Sequence, residues 1–269
     1  MQDIRPTSLI IFGATGDLAT RKLYPALLDL YLNDFLPTTF QIVGFSRKPF
    51  THEAFRAQVQ SALDASGHEH TQVAIRTFLE HVFYVQGDID SEESYGTLRT
   101  FLEERDAKTS TCSNKLFYLA VPPTLYKEIF EKLSLSGLAI PCAPSTPESD
   151  KIWTRVLVEK PFGNNQDEAK NLDLLLGELF EESQIFRIDH YLGKETVQNI
   201  VAFRFSNSLL EPVWNAEHVE KIEIRVLEKG TAANRGAFYE GIGALADVGQ
   251  NHLLQMLALS TMEIGRAHV

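Results

Sequence analysis

The chain opens on a nearly unbroken apolar run, Ser8-Leu9-Ile10-Ile11-Phe12, the pattern of a parallel strand buried on both faces, and the run stops at Gly13. Further short runs predict strands at 41–45, 82–86, 115–120, 153–159 and 185–188. Helical spacings fill the gaps. Leu18, Leu23, Leu27, Leu28 and Tyr31 recur at roughly helical intervals, with Asp17 placed to cap the segment and Pro25 to start or kink a turn. Similar patterns cover 51–65, 92–105, 124–135 and 166–182. Strands alternating with helices in this way predict a doubly wound parallel sheet of the α/β class. The stretch 137–150, with Pro141, Pro144 and Pro147 among serines and threonines, reads as a surface connection within that sheet's unit.

The periodicity changes near residue 190. Val219 to Glu228 alternates Ile222, Ile224 and Val226 with Glu223 and Arg225, the signature of a strand wet on one side and hence of an antiparallel sheet. A helix is predicted from Ala244 to Met262, with Leu245, Val248, Leu253, Met256 and Leu257 forming its apolar stripe before Gly265. The expected organisation is a Rossmann-like unit over 1–190, followed over 191–269 by the start of an α+β antiparallel-sheet domain.

Composition narrows the function. A chain of 269 residues that is 44% hydrophobic and 23% charged is globular rather than disordered. Its net charge of −11 disfavours nucleic acid and anionic membrane surfaces, so an anionic ligand needs a local pocket of basic side chains and helix N-termini. No stretch approaches the length of a membrane span, and the first residues lack the apolar core of a signal peptide. Two cysteines, Cys112 and Cys142, are too few for a disulfide framework and are expected to be ordinary thiols of a reducing compartment. The cytosol is therefore the expected location.

Five segments carry chemistry. Gly13-Ala14-Thr15-Gly16-Asp17-Leu18-Ala19 joins a buried strand to a helix, where small residues let the backbone approach a pyrophosphate and free amides meet its charge. A bare tight turn is the plain alternative, and the flanking strand and helix weigh against it. At the end of the second strand, Ser46-Arg47-Lys48 offers donors where an NAD site usually presents a carboxylate, which predicts a 2′-phosphate and hence NADP rather than a merely solvated basic turn. Glu159-Lys160-Pro161-Phe162-Gly163 puts Lys160 at the carboxyl end of a strand, where α/β proteins bind ligands. Arg187-Ile188-Asp189-His190-Tyr191-Leu192-Gly193-Lys194-Glu195 gathers a carboxylate, an imidazole, a phenol and an ammonium, suited to hold a phosphate through His190, Tyr191 and Lys194 while Asp189 orients a base. On the last helix Asp247 and Asn251 share a face and His252 is turned away from them, a geometry that flanks a ligand.

These segments, with Asp247-Val248-Gly249-Gln250-Asn251-His252-Leu253-Leu254-Gln255, resemble glucose-6-phosphate dehydrogenases over nearly the whole chain and in the same order. The resemblance implies oxidation of the C1 hydroxyl of D-glucose 6-phosphate to 6-phospho-D-glucono-1,5-lactone with NADP, the first step of the pentose phosphate pathway, without a metal. It implies that His252 is the general base, that Asp189 hydrogen-bonds it, and that His190, Tyr191 and Lys194 hold the sugar phosphate. Lys160 would lie between sugar and nicotinamide, Glu228 and Asp247 would accept from sugar hydroxyls, Gly13 to Ala19 would carry the cofactor phosphates and Arg47 the 2′-phosphate. Ala120 to Tyr126 would line the cofactor cleft, Tyr126 included. Ala246 stands where the family usually has a basic residue, and the tail from Glu263 has no evident counterpart.

Family members run on well past residue 269, so the resemblance implies an N-terminal part of a longer protein, a dimer or tetramer when complete. An NADP-binding fragment or regulatory module without catalysis is the alternative. A short-chain dehydrogenase would need a tyrosine and a lysine four apart on a helix, whereas Tyr191 and Lys194 are three apart and Tyr126 directly precedes Lys127.

Overall fold

The computed structural model describes residues 5–67, 70–142, 152–160, 162–163, 165–227, 243 and 245–263. The chain divides into two compact units, Met1–Ile188 and Asp189–Val269.

The first unit holds six strands: β1 Thr7–Phe12, β2 Phe40–Ser46, β3 Val82–Gln86, β4 Asn114–Leu119, β5 Thr154–Glu159 and β6 Ile185–Ile188. Every pair is parallel, in the order β3-β2-β1-β4-β5-β6. The helices are α1 Tyr24–Leu32, α2 His52–Ala65, α3 Gln72–Leu79, α4 Glu92–Thr109, α5 Tyr126–Leu135 and α6 Gln166–Leu179. Ile10 and Phe12 of β1 enter a cluster with Tyr95, Leu98 and Leu102 of α4 and Ile129 and Phe130 of α5. Ile11 points the opposite way, to Tyr24 and Leu28 of α1 and Phe55 and Val59 of α2. Both faces of the strand are thus covered, and this is why β1 reads as one apolar run instead of an alternation. Each of these fully buried side chains contributes about 1.5–3 kcal/mol. Thr51, Thr71, Ser91 and Asn165 cap α2, α3, α4 and α6 by accepting from the amides of Ala54, Ala74, Ser94 and Glu168.

Two local expectations give way, and one helix, α3, was not anticipated. α3 carries only three buried apolar residues, Ile75, Phe78 and Leu79, too few turns to show a period. Asp17 is already helical and exposed, its carboxylate 3.5 Å from Arg21, so it does not cap α1's approach. Cys112 and Cys142 are not free thiols: they form a disulfide, with Cα atoms 5.9 Å apart across a sequence separation of 30. The fold alone brings the turn after α4 against the segment after α5.

The second unit contains α7, Glu195–Phe205, and α8, Leu254–Thr261, the latter continuing a π-helical stretch, Leu245–Leu253. Buried Arg204 on α7 donates to the carbonyls of Leu259 and Met262 at the end of α8, and Trp214 donates at 2.7 Å to the carbonyl of Ser260. A cation thereby satisfies orphan carbonyls at a helix C-terminus. The strand predicted at 219–228 is irregular from Val219 to Leu227, and Glu228 lies outside the described residues. Leu227 is 92% exposed, and among the described residues no strand lies beside this segment to pair its backbone.

Candidate active site

The strand order reverses between β1 and β4, so their carboxyl ends splay and open a crevice. A cavity of about 480 Å³ occupies the carboxyl side of these strands, walled by Gly13, Thr15 and Gly16 after β1, Ser46, Arg47 and Lys48 after β2, and Ala120, Val121 and Pro122 after β4. Gly13 has φ +75°, and a Cβ there would stand 2.4 Å from the carbonyl oxygen of Ala120. Only glycine fits a turn drawn that close to β4. The Gly13 amide donates to Phe45 and the Gly16 amide to Gly13, which folds the turn back on itself, while buried Tyr24 donates at 2.6 Å to the carbonyl of Ala14. Burial pushes the Tyr24 phenol well above its ordinary pKa, so it stays a donor. The helical segment beginning near Asp17 carries no side-chain cap, which leaves first-turn amides for an anion.

This cradle fits a dinucleotide in shape and donor set. The cavity also holds Asp88, Asp90 and Glu128, which the motif reading missed. They follow β3 or sit on the first turn of α5, and inspecting every strand's carboxyl end would have found Asp88 and Asp90. Their charges, after burial itself, raise the pKa of the Tyr95 phenol behind them. Tyr126 does not wall the cavity; it is buried, and its hydroxyl donates at 3.2 Å to the carbonyl of Glu159. Lys160 leaves the carboxyl end of β5 directly after Glu159, whose carboxylate accepts from Tyr118.

The second unit gathers the residues that the sequence placed on two distant motifs. His252 stacks on Tyr191 with ring centroids 3.6 Å apart and planes at 13°, and His190 meets His252 edge-on at 4.9 Å. The Lys194 ammonium lies 3.6 Å from the centroid of the Tyr191 ring. Tyr191 and His252 are buried, while His190 and Lys194 are exposed. The Asp189 carboxylate accepts the Tyr191 amide at 3.1 Å, closing the turn that presents this group. Lys194 then begins α7 with no side-chain cap on its amides. An ammonium, an exposed imidazole and a helix N-terminus without a side-chain cap thus stand in one turn. Arg187 takes no part: Glu182 at 2.7 Å and Asp173 at 2.8 Å engage its guanidinium and raise its pKa. The backbone at Asp247 and Asn251 belongs to the helical stretch before α8, but their side chains, like all of Glu228, lie outside the described residues.

A parallel sheet in this order, with a glycine turn opening on its switch-point crevice and a separate histidine-bearing unit after it, defines a dinucleotide-binding protein of the Rossmann class. Two family profiles match, glucose-6-phosphate dehydrogenase NAD binding domain over 10–199 and glucose-6-phosphate dehydrogenase C-terminal domain over 201–267. The second profile takes in most of the tail that the motif comparison left unmatched. The chain belongs to the glucose-6-phosphate dehydrogenase family.

It is 42% identical over 263 residues to glucose-6-phosphate 1-dehydrogenase 2 of Mycobacterium tuberculosis (strain ATCC 25618 / H37Rv), covering 96% of this chain and 49% of that protein. It is 42% identical over 261 residues to glucose-6-phosphate 1-dehydrogenase of Chlamydia muridarum, covering 96% and 50%. A solved glucose-6-phosphate dehydrogenase in complex with its substrate glucose-6-phosphate aligns with a TM-score of 0.84 at 37% identity, over 98% of this chain and 52% of that one. The enzyme from Mycobacterium avium aligns with a TM-score of 0.79 at 33% identity, over 96% and 53%. The chain thus spans about half the length of the curated relatives it matches.

Proposed function

We propose that this chain carries the NADP-binding and substrate-binding residues of an enzyme that oxidises the C1 hydroxyl of D-glucose 6-phosphate to 6-phospho-D-glucono-1,5-lactone. The observation that carries the reading is the cluster of His190, Tyr191, Lys194 and His252 in one unit, an ammonium, an imidazole and a phenol gathered around a buried imidazole. Lys194, His190 and the Tyr191 hydroxyl bind the 6-phosphate, which fixes the sugar at its far end. His252 takes the proton from the C1 hydroxyl, and Asp189 stabilises the resulting imidazolium. Lys160 contacts the C1 oxygen, and Glu228 and Asp247 accept from other sugar hydroxyls.

NADP supplies the hydride acceptor at its nicotinamide. Gly13 to Ala19 carry its phosphates, and Arg47 with Lys48 takes the 2′-phosphate. Tyr126 supports the cleft from behind through Glu159. The same reading makes residue 190 the boundary between the cofactor and substrate domains, the complete protein a homo-oligomer without nucleic acid or membrane partners, and the cytoplasm its location. No helix among the described residues is long and apolar enough to cross a membrane.

The test is reduction of NADP in the presence of glucose 6-phosphate, followed by absorbance, beside a His252→Asn variant. Turnover is expected to fall by about a hundredfold or more, the contribution of a positioned general base. Undiminished turnover in the variant removes His252 from the mechanism. Glucose 6-phosphate binding, measured by calorimetry, is expected to survive this substitution and to weaken at least about tenfold in Lys194→Ala, since an ammonium–phosphate contact is among the stronger hydrogen bonds.

A further inference from the structure

We infer that Tyr84 is a positioning residue for the cofactor's 2′-phosphate, acting through the basic loop that follows β2. The inference rests on the cofactor reading above. Tyr84 lies on β3, is 4% exposed and does not wall the cavity. Its phenol oxygen stands 2.8 Å from the carbonyl of Ser46 and 2.5 Å from that of Lys48, with the Ser46 hydroxyl 2.9 Å away and the Thr15 hydroxyl 3.2 Å beyond it. One consistent assignment has Thr15 donating to Ser46, Ser46 donating to Tyr84, and Tyr84 sharing its proton between the two carbonyls. The phosphate-binding turn and the basic loop are thereby joined by three hydroxyls.

The same strand holds the loop at other points. The Tyr84 amide donates at 3.1 Å to Nδ1 of His52, the first residue of α2, and the Gly87 amide donates at 3.0 Å to the carbonyl of Ser46. The Gln86 side chain donates at 3.4 Å to the carbonyl of Arg47. The phenol ring is itself held by Phe55 at 4.7 Å and Phe50 at 5.7 Å. Burial raises the Tyr84 pKa, which keeps the donor protonated.

Arg47 and Lys48 are exposed, and a ligand that must order both their side chains and their backbone loses affinity to that ordering. Tyr84 removes the backbone share of this cost. The benefit falls on the ligand that uses Arg47 and Lys48, an adenosine carrying a 2′-phosphomonoester, and not on the same nucleotide without it. Tyr84 therefore contributes to selectivity for NADP over NAD from beneath the site.

The test compares equilibrium binding of 2′,5′-ADP and 5′-AMP to the chain by calorimetry, a readout independent of turnover. Tyr84→Phe keeps the ring against Phe55 and Phe50 and removes only the oxygen. Affinity for 2′,5′-ADP is expected to fall about tenfold while that for 5′-AMP changes by less than about twofold. Gln86→Ala, at an exposed position, is expected to lose selectivity in the same direction by about twofold. Equal losses for both ligands in Tyr84→Phe, or full selectivity retained, overturn the inference while leaving the cofactor reading intact. An unsubstituted chain that does not prefer 2′,5′-ADP overturns the cofactor reading and this inference together. Should Tyr84→Phe not fold, Gln86→Ala decides, and unchanged selectivity there counts against the proposal.

Discussion

The imidazole of His252 lies flat on the phenol of Tyr191, and that phenol also bears the ammonium of Lys194 at 3.6 Å from its centroid. One aromatic ring thus joins the proposed base to the proposed phosphate site. Stacking fixes the plane of His252, and a cation over the ring is attracted by its π-face. Tyr191 thus has a ring that packs and, in the proposed reading, a hydroxyl that binds the sugar phosphate.

The two tasks predict different outcomes for two substitutions. Tyr191→Ala removes a ring that is 5% exposed and is expected to cost about 3 kcal/mol in urea denaturation of the second unit. Tyr191→Phe keeps the stack, so its stability should change by less than about 1 kcal/mol, while the dissociation constant for glucose 6-phosphate rises about fivefold. Stability loss of equal size in both variants would show that the ring is not what packs here.

The disulfide predicts a response to reductant. Closing a loop across a separation of 30 residues restricts the unfolded chain by about 3–4 kcal/mol on the chain-entropy scale. Adding dithiothreitol should therefore lower the urea midpoint of the first unit, and the double variant Cys112→Ser, Cys142→Ser should show the lower midpoint with or without reductant. Alkylation of both thiols in untreated native protein would mean that the bond does not form.

Buried tyrosines predict the alkaline limit of the first unit. Burial raises Tyr24, Tyr95 and Tyr118, with a hydrogen bond to Glu159 adding to the rise at Tyr118, and burial pushes Tyr126 up to about 12. Each folded phenol keeps its proton where the unfolded one, at about 10, has lost it. The unfolded state then binds fewer protons, so stability is full below about pH 10 and falls as pH rises, by about 1.4 kcal/mol per unit for each such tyrosine. Tyr118→Phe should make the slope above pH 10 shallower by one proton, read from urea midpoints across the alkaline range; an unchanged slope would remove Tyr118 from the set.

Most of the first unit was legible because local patterns and the global sheet agree there. Leu9 to Phe12 is apolar throughout because both its faces are buried, and the turn that follows needs glycine at residue 13 for a reason visible in the motif. The short helix α3 and the helix α7 escaped, the first for want of turns and the second because its buried residues, Val197 and Arg204, make no apolar stripe. The alternation at 219–227 named a strand that has no described partner, since alternation reports a wet and a dry face but does not supply the neighbouring backbone.

By itself the sequence determined the order of the six parallel strands along the chain, the glycine turn, the basic end of β2 and which residue types stand ready for phosphate and proton chemistry, because each is written within a few neighbouring positions. Tertiary structure alone decided that Cys112 meets Cys142, that His252 lies on Tyr191, and that Tyr84 reaches under the loop of Arg47 and Lys48. Those pairs are separated by long stretches of chain. Distances across such stretches are set by how the intervening helices and strands pack, a property of the whole folded unit that no local spacing contains.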